Sequence, residues 1–141
     1  MVIVRKNGSG KTTLSKIIAG IYQPESGQVL YDGEDVGSYA KDSFYRKFSV
    51  IQQSFVKYPF TVRENIGISL PSRIHNDERL MKSARAAGIE GAVQRVGGLD
   101  ARLGREFGGA ELSGREWQKL AIARGLNKDG EVISWMSPLL R

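Results

Sequence analysis

Residues 2–13 put an apolar, β-branched run (Val2-Ile3-Val4), a glycine-rich loop and a helix-opening Lys-Thr-Thr in immediate succession. A strand that feeds a helix through such a loop turns its backbone N–H groups toward one point, the arrangement that grips a polyphosphate. Gly8 and Gly10 let the backbone approach phosphate oxygens with no Cβ in the way, and Lys11 brings a mobile positive charge. Thr12 offers a hydroxyl to Mg²⁺. Asn7, Gly8, Ser9, Gly10, Lys11, Thr12 and Thr13 are therefore the first candidate nucleotide-binding set. Leu14, Ile17, Ile18 and Ile21 recur at helical spacing, predicting an apolar face, and Gly20 is the expected C-terminal stop. Arg5 stands where the pattern G-x-x-x-x-G-K-[ST] begins with glycine.

Size and charge narrow the alternatives. A chain of 141 residues with 40% hydrophobic composition corresponds to about one ordinary domain. No apolar run reaches the length that crosses a bilayer, no secretory signal is read in the sequence, and cysteine is absent, so the expected compartment is the cytosol. The formal charge of +6 comes from Lys and Arg interspersed with acids, and no nucleic-acid partner is expected.

Downstream, Asp32-Gly33 is a turn dipeptide between short extended segments and predicts a hairpin. Residues 41–47 predict a short helix, and Phe48-Ser49-Val50-Ile51 a buried strand that delivers Gln52 and Gln53 at its end. Ligands of open α/β sheets collect beyond the carboxyl ends of strands, which makes Gln53 a candidate metal or water ligand. From about residue 54 to residue 126 the patterns turn helical. Asn76 is expected to cap a helix with Asp77 and Glu78 in its first turn, Leu80, Met81, Ala84 and Ala87 on one face and Gly88 closing it. His75, the single histidine, reads as a loop residue rather than a base.

A second informative stretch runs from Glu111 to Arg124. Ser113 and Glu116 stand at capping-box spacing, so a helix is predicted to start at Gly114 with outward-facing amides able to meet an anion. Trp117, Leu120, Ala121 and Arg124 fall on one side of it, the apolar members facing a core.

In this order, the phosphate loop, strand-borne glutamine, helical insert and Leu-Ser-Gly helix start resemble the nucleotide-binding domain of ATP-binding-cassette (ABC) transporters over nearly the whole chain. Gly8-Ser9-Gly10-Lys11-Thr12 resembles the Walker A motif, Gln53 the Q-loop glutamine, and Leu112-Ser113-Gly114 with Glu116-Trp117-Gln118 a signature of the form L-S-G-G-E-W-Q. Residues 60–66 are similar to the segment that follows the Q-loop in exporter-type members, and the compact stretch between Lys11 and Ser113 favours the transporter branch. The resemblance implies an α/β P-loop NTPase core, here with a partial sheet, and an α-helical subdomain. Expected boundaries are 1–53 for the partial core, 54–126 for the helical subdomain with the signature, and 127–141 for a degenerate Walker B region. It also implies ATP and Mg²⁺ as cofactors, with Thr12 and Gln53 on the metal and Ser113, Gly114 and Glu116 in the nucleotide-binding set. Implied partners are a transmembrane transporter subunit or domain, touched by the Q-loop region, and a second nucleotide-binding domain, the two nucleotide-binding domains sandwiching ATP between one Walker A and the other's signature. The implied location is cytoplasmic, peripheral on the inner face of the membrane.

The departures carry expectations of their own. Arg115 replaces the second glycine of the signature, at the helix mouth where the partner's γ-phosphate would approach. Where the family reads Asp-Glu-Pro at a strand end, this chain reads Ser134-Trp135-Met136-Ser137-Pro138, so no catalytic residue is assigned. Trp135-Met136 must be encoded TGG-ATG, and the neighbouring frame across that junction reads GAT, an Asp codon. With allowed codons the same frame continues Glu-Pro-Thr-Ala-Ala, which predicts a frameshift at or just before Ile133. The chain also begins on the Walker A strand itself, and a copy truncated at both ends is expected. The functional expectation is an ATP-binding domain that couples ATP binding and hydrolysis to transmembrane transport, deficient in hydrolysis in this copy. The alternatives are a non-hydrolytic nucleotide-binding partner or a non-functional gene fragment.

Overall fold

The computed structural model describes residues 11–40, 43, 44, 46, 48–51, 55–130 and 132–135. The chain divides into two compact units, residues 1–53 with 130–141, and residues 54–129.

In the first unit, α1 spans Lys11–Ile18. It stops where the sequence predicts. Gly20 adopts φ +68, its N–H reaches the Ile17 carbonyl at 3.0 Å, and Ile21 N–H returns to the Lys16 carbonyl at 2.8 Å. The same glycine lets a ring approach, because a Cβ there would lie 2.7 Å from Cε1 of the buried Phe44. The apolar face of α1 is covered differently from expectation. Leu14 and, past the helix end, Ile21 are exposed, Ile17 and Ile18 are half-buried, and Ala19, just after the helix, is buried. Helical spacing determines which residues share a face, whereas the cover over that face depends on distant chain.

Strands β1 (Leu30–Tyr31) and β2 (Glu34–Asp35) pair antiparallel, Leu30 opposite Asp35 and Tyr31 opposite Glu34. Asp32 and Gly33, both at positive φ, make the predicted turn. Asp35 then accepts the Gly37 N–H at 2.9 Å, starting a 3₁₀ turn, and the rings of Tyr31, Tyr39 and Phe44 pack with centroids 5.8–6.4 Å apart. The predicted helix over 41–47 lies partly outside the described residues; Ser43, Phe44 and Arg46 are helical. Strand β3 (Phe48–Ile51) forms as predicted, with Ser49 and Ile51 buried. It pairs in parallel with β4 (Val132–Trp135), Phe48 opposite Val132 and Ile51 opposite Trp135. Parallel neighbours need a crossover connection, and here the whole second unit lies between them in sequence.

The second unit is helical: α2 (Val62–Gly67), α3 (Asp77–Ala86), α4 (Glu90–Val96) and α5 (Gly114–Asn127). The starts of α2, α3 and α5 carry side-chain caps, whereas α4 follows Ile89 without one. Thr61 and Glu64 form a reciprocal capping box on α2, and Asn76 caps α3 by accepting the Arg79 N–H at 2.9 Å. Gly88, at φ +68, follows the end of α3 as predicted. The helices close over Val62, Ile66, Leu80, Ala84, Ile89, Val93, Leu103, Leu112, Trp117, Leu120 and Ala123, with Phe55 packed on the edge. Fully buried side chains such as Ile66, Leu80 and Leu120 each contribute about 1.5–3 kcal/mol. The loop between α4 and α5 is stitched to the start of α2 by Arg63 N–H to Leu99 O (2.7 Å) and Leu103 N–H to Phe60 O (3.0 Å). Arg63, only 14% exposed, is paired with both Asp77 and Asp100.

Candidate functional site

The candidate residues fall on both units. Lys11, Thr12 and Thr13 are the first three residues of α1, so the Lys-Thr-Thr of the sequence opens a helix, and Thr13 is exposed. Asn7, Gly8, Ser9, Gly10 and Gln53 lie outside the described residues. Ile51, two positions before Gln53, ends β3 beside Trp135.

The other candidates meet at the mouth of α5. Ser113 is the N-cap, its Oγ accepting the Glu116 N–H at 3.3 Å, while Oε2 of Glu116 accepts the Ser113 N–H at 2.7 Å. The predicted helix start at Gly114 is the observed one. A Cβ on Gly114 would meet nothing within 4 Å, so open space fronts the first turn. Arg115 is exposed beside it. Glu116 is engaged inside the unit: its Oε1 also accepts from Arg95 of α4 at 2.6 Å. The Ser113 amide holds the Glu116 carboxyl below the usual carboxylate range, and the Ser113 hydroxyl and Arg95 act in the same direction. In this arrangement Glu116 shapes the mouth, and the groups left facing outward are the early amides of a fourteen-residue helix and the Arg115 side chain.

Behind the mouth, Trp117, Leu120 and Ala121 are buried as expected, joined by Ala123. Arg124 is half-buried, and its charge is met by groups of the segment entering the unit. It donates to the Asn65 carbonyl at 2.8 Å and to Asn65 Oδ1 at 3.0 Å, and its guanidinium lies 4.7 Å from the Tyr58 ring centroid. Asn65 is fully buried and donates to the carbonyls of Tyr58 and Thr61, each at 3.0 Å. Neither Asn65 nor Arg95 was expected at the site. The Arg95–Glu116 pair joins residues 21 positions apart, a separation that carries no local signal. His75 is exposed in the loop before α3, as predicted.

The order of these parts, a Lys-Thr-Thr helix opening, a strand leading to Gln53, a capped Ser113-Gly114 mouth, is that of a nucleotide-binding domain, and the family model described as ABC transporter matches residues 1–135. The chain belongs to the ABC transporter family. It is 45% identical over 135 residues to the nisin transport ATP-binding protein NisT of Lactococcus lactis subsp. lactis, covering 92% of this chain and 22% of NisT. It is 36% identical over 132 residues to the leukotoxin translocation ATP-binding protein LktB of a Pasteurella haemolytica-like species, covering 93% of this chain and 18% of LktB. Its fold is similar to that of a bacterial Atm1-family ABC exporter solved with ATP bound, with a TM-score of 0.78 at 28% identity, over 91% of this chain and 22% of the exporter chain. The architecture is thus an α/β P-loop core with a helical subdomain, and the chain spans about a fifth of the length of the ABC relatives it matches.

Proposed function

We propose that this chain is the ATP-binding part of an ABC exporter, that it binds Mg-ATP, and that it hydrolyses ATP poorly. The observation that carries the reading is the opening of α1 at Lys11 in a chain whose family match runs through residue 135. The residues fit the cofactor in chemical type. Amides of residues 7–13 with the Lys11 ammonium suit a triphosphate, and Thr12 with Gln53 offers Mg²⁺ neutral oxygens that need the charge of bound phosphates, the usual division of labour at such a metal. Mg²⁺ supplies charge neutralisation to the transferred phosphoryl group. Ser113 and Gly114 present the α5 mouth to the γ-phosphate held by a second nucleotide-binding domain, and Glu116 keeps that mouth in shape.

Hydrolysis also needs a group that orients the attacking water. Residues 134–136 are Ser-Trp-Met, so no carboxylate stands at these positions of the sequence. This favours a second role, a nucleotide-binding partner that closes on an intact domain and contributes one functional composite site. Both roles place the chain at the cytoplasmic face of a membrane against a transmembrane transporter subunit or domain. Among the described residues no helix is long and apolar enough to cross a membrane. The test is release of labelled phosphate from Mg-ATP by the 141-residue chain. The expected result is negligible turnover, and appreciable magnesium-dependent turnover lost on Lys11→Ala contradicts it.

A further inference from the structure

The segment that enters the helical unit, residues 55–61, is fastened to α5 far from its capped mouth. Arg124, on the last turns of that helix, collects the Asn65 carbonyl, Asn65 Oδ1 and, at 3.5 Å, the Val56 carbonyl, and it lies over the Tyr58 ring. Asn65 completes the grip by donating its amide to the carbonyls of Tyr58 and Thr61. A planar guanidinium with several fixed donors holds such a constellation in one geometry, which a lysine cannot reproduce. Phe60 is tied separately to the loop that leads to Ser113, through Leu103 N–H. Arg124 and Asn65 hold the carbonyls of Val56 and Tyr58, and the Val56 side chain is 56% exposed.

We propose that Arg124, with Asn65, is a positioning residue that locks residues 56–58 to α5, so that a displacement of that segment moves the helix bearing Ser113 as one body. Its use in nucleotide chemistry rests on the proposed function; the lock itself does not.

The chain contains no cysteine, so spin labels can be placed at two introduced sites alone. With labels at Val56→Cys and Arg115→Cys in the full 141-residue chain, the parent is expected to give one narrow distance distribution. Arg124→Gln should broaden it toward longer distances, and Arg124→Lys should broaden it less. Asn76→Ala, which weakens the unit at the α3 cap without touching the lock, should leave it narrow. Helix content by circular dichroism is read in each variant, and if Arg124→Gln loses it, Arg124→Lys decides. An unchanged narrow distribution in a folded Arg124 variant, or equal broadening in Asn76→Ala, overturns the proposal. No nucleotide is present, so failure here is separate from failure to bind ATP.

Discussion

Gly20 and Gly109 are among the glycines fixed by what surrounds them. At Gly20 both the left-handed backbone and the Phe44 ring 2.7 Å from a would-be Cβ oppose any side chain. Gly20→Ala is expected to cost about 1–3 kcal/mol, read as a lowered denaturation midpoint. Gly109 has an ordinary backbone, yet a Cβ there would sit 2.6 Å from the Arg102 carbonyl oxygen, in a loop pinned by the 2.8 Å bond from Ala110 N–H to that same oxygen. Gly109→Ala should therefore destabilise the helical unit by about 1–3 kcal/mol, and a midpoint equal to the parent's would show that the loop yields. Gly20 was legible in the sequence because a helix stop is a local signal. Gly109 was not, since its constraint comes from backbone seven residues earlier folding across it.

Helices α2, α3 and α5 begin where short-range chemistry tells them to. Asn76, Ser113 and Glu116 act over three residues and could be read directly, while the Thr61–Glu64 box has the same spacing and was there to be read. The parallel pairing of β3 with β4 joins residues more than eighty positions apart, and the exposure of Leu14 depends on distant cover, so neither was legible. Ser113→Ala should cost about 1 kcal/mol in stability of the helical unit, through loss of the α5 cap. The capping boxes also predict a pH dependence. The Thr61 amide holds Glu64 below the usual carboxylate range, as the Ser113 amide does Glu116. The folded state therefore favours the ionised forms, and the unfolded chain binds more protons as pH falls. Their contribution is complete above the ordinary glutamate range and is lost as pH drops through the lowered values. Melting temperature against pH should show this acid-side loss, and Glu64→Gln with Glu116→Gln should flatten it.

At the scale of the whole molecule, the two units are held together internally by different means. Residues 54–129 close over a large apolar cluster with every described α-helix of at least six residues there packed into it, whereas in α1 the described side chains are half-buried or, as at Thr13 and Leu14, exposed. Amide hydrogen exchange should accordingly be slowest at Leu80 and Leu120 and faster throughout α1, and the reverse order would contradict the burial. The helical unit was legible because its signals are caps and 3.6-residue periodicity; the core depends on strand pairing, which a sequence shows only piecemeal. At the opening of α1, we propose, the amides together with Lys11 hold the phosphates of ATP. Titration calorimetry of Mg-ATP into the 141-residue chain tests it most directly. The account predicts saturable heat that disappears in Lys11→Ala; no heat with the parent chain in a folded state, or equal binding by both, contradicts it.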